Sequence, residues 1–184
     1  EGGFRRWGYE AAFETFGDRV ITEETLFEIH EGIVPEGVVV IKDRIADMVF
    51  AEVLLRPENF DIIACPNLNG DYLSDALAAQ VGGLGIAPGA NIGDTCAVFE
   101  ATHGTAPDIA GQDLANPCSL ILSGAMMFDH MGWKRAGDIV REGVTKALAS
   151  GGVTADLASR ITGREEVTCS RFSRSIVEHI LFQQ

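Results

Sequence analysis

Between Val38 and Asp75 the chain switches repeatedly between the two hydrophobic periods, and this alternation constrains its fold more than any other feature. Val38, Val39, Val40 and Ile41 followed by Lys42 and Asp43 read as a buried strand. Arg44 to Leu55 then places Ile45, Met48, Val49 and Val53 at helical spacing, and Phe60 to Cys65 reads as a second short strand before another helix. Strand, helix, strand and helix in that order predict an α/β fold, whose ligand sites gather past the carboxyl ends of strands.

Three acids fall at such places: Asp47, Asp71 and Asp75. The run Asn67-Leu68-Asn69-Gly70-Asp71-Tyr72-Leu73-Ser74-Asp75 sets two carboxylates one helical turn apart with no lysine or arginine beside them. At that spacing Cβ atoms lie about 5–6 Å apart, so two ionised aspartates repel unless a cation separates them. Mg²⁺ or Mn²⁺ suits hard oxygen ligands of this kind, with water and substrate oxygens completing the shell. The competing reading makes Asp71 a helix cap and Asp75 a solvated surface acid.

The segment from Ile41 to Asp94, with Phe99-Glu100-Ala101-Thr102-His103-Gly104-Thr105-Ala106-Pro107 after it, closely resembles the bacterial-type isocitrate dehydrogenases, decarboxylating enzymes acting on 2-hydroxy acids. The resemblance runs from Gly3-Phe4 and Trp7-Gly8-Tyr9 to Cys169-Ser170 and is loosest between Arg19 and Glu36. It implies a two-lobed α/β fold, with residues 1–82 in the small lobe and residues 83–184 in the large one. It further implies that Asp71 and Asp75 hold the metal with the substrate's hydroxyl and carboxylate oxygens. Asp47 matches a third acid that reaches the neighbouring subunit's site, so a homodimer with shared active sites is expected. The cation would polarise the ketone left by hydride transfer and stabilise the enolate left by decarboxylation.

No Gly-x-Gly-x-x-Gly fingerprint and no P-loop occurs, so the usual Rossmann fold is not indicated. Gly82-Gly83-Leu84-Gly85-Ile86-Ala87-Pro88-Gly89 comes near that fingerprint and reads equally as a flexible turn between lobes. The resemblance gives this segment and the loop from Glu100 to Gly111 a different cofactor cleft, in which His103 and Asn116 meet the adenosine half and Gly104 lets the backbone approach the ligand closely. Relatives using NADP carry Lys and Tyr where this chain has Asp108 and Ile109, and Tyr and Arg where it has Ala155 and Ser159. Ala115 also fits the NAD pattern. A carboxylate accepts hydrogen bonds from free ribose hydroxyls and repels a phosphate, so Asp108 and Ile109 predict NAD.

The catalytic Lys and Tyr that the resemblance calls for match nothing here and are expected upstream of Glu1. The chain therefore reads as the carboxyl-terminal half of a subunit, inactive alone and short of strands in both sheets, with exposed sheet edges that invite aggregation. Two alternatives stay open: the same fold acting on isopropylmalate, homoisocitrate or tartrate, and a noncatalytic regulatory subunit.

With 184 residues, 46% of them hydrophobic, the chain is long enough for a sizeable core. Its net charge of −13 argues against nucleic acid or an anionic membrane as partner. No apolar run suits a membrane span, and a cytoplasmic enzyme is expected. Cys65, Cys96, Cys118 and Cys169 form no Cys-x-x-Cys pair and predict reduced, buried thiols.

Elsewhere the pattern predicts an amphipathic helix over Gly3 to Phe16 with its aromatics in the core, and a hairpin or clasped loop over Asp18 to Glu36. It predicts a strand at Cys96 to Phe99, a helix opened by Asn116-Pro117, and helices over Lys134 to Ser150, Thr154 to Ile161 and Arg171 to Phe182. Met126, Met127 and Trp133 read as packing.

Overall fold

The computed structural model describes residues 2–182, and its contacts divide the chain into Glu1–Ser74 and Asp75–Gln184. The first unit opens with α1 (Gly2–Phe16), followed by a short 3-10 turn and strand β1 (Val20–Thr22). Helix α2 (Glu23–His30) then leads to strand β2 (Val39–Ile41), which pairs with β1 in parallel, Val20 opposite Val39. A parallel pair needs a crossover, and α2 supplies it. The hairpin or clasped loop expected over Asp18 to Glu36 is thus corrected. The Thr22 hydroxyl accepts from Thr25 N, Glu23 and Glu24 occupy the first turn, and Glu31 closes the helix in the left-handed region at φ 53°. A cap, acids at the positive end of the dipole and a left-handed stop outweigh the weak periodicity.

The helix over Gly3 to Phe16 forms, but its aromatics do not enter a core: Trp7 is 59% exposed and Phe16 49%. A 15-residue helix is about 22 Å long, whereas a three-residue strand reaches about 10 Å, so the narrow β1–β2 sheet cannot cover it. What ties α1 down is polar. Arg5 and Tyr9 both donate to Asp43, the tyrosine at 2.9 Å.

Helix α3 (Ala46–Leu55) forms as expected, and Arg44 ahead of it grips both carboxylate oxygens of Glu23 at 2.7 and 2.8 Å. The second strand expected at Phe60 to Cys65 is absent: the segment is irregular, and Ile62 is 90% exposed. An extended run becomes a strand only by exchanging backbone hydrogen bonds, and among the described residues none pairs with it. Helix α4 (Asn67–Val81) follows directly. The division between the units falls inside it.

The second unit builds a core around helices. Strands β3 (Pro88–Ile92) and β4 (Ala97–Ala101) form an antiparallel ribbon with Gly89 opposite Glu100. A Cβ at Gly89 would stand 2.8 Å from the Glu100 carbonyl oxygen, so only glycine permits this approach. Helix α5 (Cys118–His130) is fastened to the ribbon by two fully buried serines. Ser123 donates to the Glu100 carbonyl at 2.7 Å and accepts from Gly89 N at 3.1 Å. Ser119 donates to the Ala87 carbonyl and accepts from Thr102 N.

Helix α6 (Lys134–Ala149), strand β5 (Gly152–Val153), the single turn α7 (Ala155–Ala158), strand β6 (Glu165–Glu166) and helix α8 (Cys169–Leu181) complete the chain. The helix expected over Thr154 to Ile161 is confined to that turn. Phe172, Ile176, Val144, Ala147, Val153, Leu157 and Cys118 make one apolar cluster. Cys118 is the only one of the four thiols that is buried, which corrects the expectation of four buried cysteines; Cys96 is exposed. Trp133 is 59% exposed and stacks on Phe128, while Met126 and Met127 are half-buried.

Candidate functional site

Asp71 and Asp75 both lie on α4, four residues apart and exposed, while Leu73 and Ala78 are its buried residues. Asp47 lies in the first turn of α3, is exposed, and accepts from Met48 N at 2.7 Å. None of the three takes part in an ion pair among the described residues, so their carboxylates are not neutralised by a lysine or arginine. Among the described residues no three His, Cys, Asp or Glu side chains gather closely enough to hold a metal ion. Asp71 and Asp75 each offer hard carboxylate oxygens of the kind a magnesium-like ion takes.

The candidate cofactor residues lie on one loop and its end. His103 follows β4, half-buried, with Nδ1 2.9 Å from the Gly104 carbonyl oxygen. Ala106 adopts φ 43°, a left-handed conformation uncommon for a residue with a Cβ, just before the 3-10 turn Pro107–Ile109 that carries Asp108 and Ile109. Strain of that kind, costing about 1–3 kcal/mol, persists only where the surroundings impose it. The Asp108 backbone carbonyl accepts from Gln112 Nε2 at 2.7 Å, whereas its exposed carboxylate receives no hydrogen bond among the described residues.

Asn116 is buried and both ends of its side chain are engaged. Its Oδ1 accepts from Cys118 N at 3.0 Å, capping α5, and its Nδ2 donates to Asp156 at 3.0 Å. The amide keeps a second N–H and a second lone pair beyond these two bonds. The glycine segment lies alongside: Gly82 and Gly83 take φ 135° and 110°, and a Cβ at Gly85 would stand 2.7 Å from Asn116 Cβ.

Several of these supports were not among the residues singled out by pattern. Asp156, Ser119, Ser123 and the Asp113–Ser170 pair each join segments distant in sequence, and Thr154 supports Asp156 from two residues away. The visible signal was local: Thr154 ahead of Asp156 is a polar pair at the start of a turn, a common capping pattern.

Burial, with Asp156 nearby, pushes the Cys118 thiol up to about 12. The Arg5 and Tyr9 hydrogen bonds hold the Asp43 carboxyl below the usual range. A cavity of about 510 Å³ in the first unit is lined by Tyr9, Thr22, Phe27 and Asp43, and one of about 550 Å³ in the second by Ile86, Leu157, Arg160 and Arg164.

Residues 20–176 match the family described as isocitrate/isopropylmalate dehydrogenase. "Isocitrate dehydrogenase [NADP]" of Haloferax volcanii is 51% identical over 180 residues, 98% of this chain and 43% of that protein. The protein of the same name from Archaeoglobus fulgidus matches to the same extent. The crystal structure of isocitrate dehydrogenase from Methylococcus capsulatus superimposes with a TM-score of 0.72 at 33% identity, covering 95% of this chain and 54% of that one. The chain spans less than half the length of the curated relatives it matches. No helix among the described residues is long and apolar enough to cross a membrane.

These relatives overturn the expectation of NAD, since they are named for NADP. The inference from Asp108 and Ile109 weighed an exposed carboxylate too heavily. Two charges 4 Å apart in water interact by only about 1 kcal/mol, and salt screens even that. The absence of Lys, Tyr, Tyr and Arg at Asp108, Ile109, Ala155 and Ser159 names groups that are missing without excluding others that do the same work.

Proposed function

This chain belongs to the isocitrate/isopropylmalate dehydrogenase family, and on that premise we propose that the whole protein oxidatively decarboxylates isocitrate to 2-oxoglutarate and carbon dioxide, with NADP as hydride acceptor. The observation that carries this reading is the identity of about half of all positions with proteins named isocitrate dehydrogenase [NADP], over 98% of the chain.

In this reading Asp71 and Asp75 present two unneutralised carboxylates from one helix face to a divalent cation and the isocitrate oxygens. The pairless environment of both acids supports it. The cation, when bound, supplies Lewis-acid stabilisation of negative charge developing on substrate oxygen. Asp47, on a different helix, serves the neighbouring subunit of a homodimer, so that each site is composite. His103, Gly104, Asp108, Ile109 and the backbone of Asn116 hold the adenosine half of the dinucleotide, with residues 83–184 contributing to the lobe of the cofactor and residues 1–82 to the lobe of the aspartates.

The test is an assay of the full-length protein with isocitrate or isopropylmalate, NADP, and Mg²⁺ or a chelator. Isocitrate-dependent reduction of NADP that ceases on chelation is the expected result. Oxidation of isopropylmalate without isocitrate, or reduction indifferent to the cation, would contradict the reading.

A further inference from the structure

We propose that Asp156 is a positioning residue that sets the register of three chain segments around the dinucleotide, an inference that rests on the dehydrogenase reading. Its Oδ1 accepts from the Thr154 hydroxyl at 2.6 Å, and its Oδ2 accepts from Asn116 Nδ2 at 3.0 Å. A Cβ at Gly85 would stand 3.0 Å from that same Oδ2, so the glycine segment lies directly against the carboxylate. Gly85 is itself tied to α5, because its carbonyl accepts from Ser119 N at 2.8 Å. One carboxylate thus meets the start of α7, the end of the loop carrying His103 to Asn116, and the glycine segment.

The chemistry of the group explains why an aspartate serves here. Thr154 is fully buried and Asn116 is 8% exposed, so each donor needs a partner inside the protein. An ionised carboxylate is acceptor-only and offers two oxygens, one for each. Cys118 N donates to the Asn116 oxygen while Asp156 accepts from its Nδ2, so the two bonds together fix the amide and Asp156 supplies the acceptor for its nitrogen. Asp156 holds the Asn116 side chain in place and so acts on a ligand through Asn116.

The experiment titrates the full-length protein with NADPH, followed by its fluorescence, in the wild type, in Asp156→Asn and in the exchange Asn116→Asp with Asp156→Asn, each with its melting temperature. In the single variant the one amide oxygen serves one donor, and the dissociation constant for NADPH should rise about tenfold. In the exchange, the amide at position 156 donates to the carboxylate at position 116 and accepts from Thr154, while that carboxylate still caps α5. Its affinity should return to within about threefold of the wild type. An unchanged dissociation constant in Asp156→Asn with a lowered melting temperature would show a merely structural role and overturn the proposal. So would an exchange variant that regains its melting temperature and not its affinity. If the single variant is too unstable to titrate, the exchange variant decides alone by the same threefold criterion. A wild type that fails to bind NADPH overturns the dehydrogenase reading, and this inference with it.

Discussion

The carboxylate of Asp113 accepts both donors of Ser170, the backbone N–H at 2.8 Å and the hydroxyl at 2.6 Å. The Asp113 carbonyl also accepts from Cys169 N at 2.8 Å, so this residue, in the left-handed region at φ 58°, fastens the loop of the candidate cofactor residues to the start of α8. The Ser170 hydroxyl, then its N–H, hold the Asp113 carboxyl below the usual carboxylate range. A lowered folded value means that the stabilisation is present above the unfolded value, about 3.9, and is lost as pH falls through the folded one. Asp113→Asn keeps a residue that tolerates the left-handed backbone while weakening the hydrogen bonds. Thermal unfolding across a pH series should show the variant melting below the wild type at neutral pH, with the gap closing as pH drops below about 4. A gap independent of pH would contradict this account of the pair.

Phe172 is fully buried among Ile176, Val144, Val153 and Leu157. Truncation to alanine removes most of a large side chain from a core that can only partly collapse, at a cost of about 3–5 kcal/mol. Denaturant titration of Phe172→Ala in the full-length protein should show that loss, provided unfolding stays two-state. A loss below about 1 kcal/mol would mean that this cluster does not hold the unit together.

The thiols differ in exposure. Cys118 is buried, with its thiol pushed up to about 12, whereas Cys96 is exposed. The thiolate is the reactive form, so alkylation at pH 8 should label Cys96 quickly and Cys118 only after denaturant is added. Mass spectrometry of the labelled peptides checks this, and equal labelling of both in the native protein would contradict the packing around Cys118.

The long helices were legible because their periodicity is local. Ile45 to Val53 and Leu120 to Met126 repeat at helical spacing, and Asn116-Pro117 and Gly151-Gly152 mark where α5 begins and α6 ends. Strands were less legible. A run such as Phe60 to Cys65 has strand composition, yet a strand exists only with a partner, and the partner is a property of the whole fold. Helix α2 escaped notice because its signals are a cap and two acids rather than an apolar stripe. Periodicity shows which residues share a face and not what covers that face, which is why the α1 aromatics read as core while Trp7 and Phe16 stand exposed. At the candidate site, the acids of the Asn67 to Asp75 block were visible as a pattern, whereas Asp156 and Asp113 were not. Their roles come from contacts 40 and 57 residues away in sequence.

The proposed function stands or falls on the proposal that Asp71 and Asp75, four residues apart in α4, hold a divalent cation together with the substrate. Its most direct test is the affinity of the full-length protein for Mn²⁺ in the presence of isocitrate, read from the paramagnetic resonance signal of the free ion, for the wild type, Asp71→Asn and Asp75→Asn. Each substitution should weaken Mn²⁺ by at least about a hundredfold, since loss even of a ligand's outer partner costs roughly ten- to a hundredfold. Mn²⁺ bound as tightly by both variants as by the wild type would contradict the account.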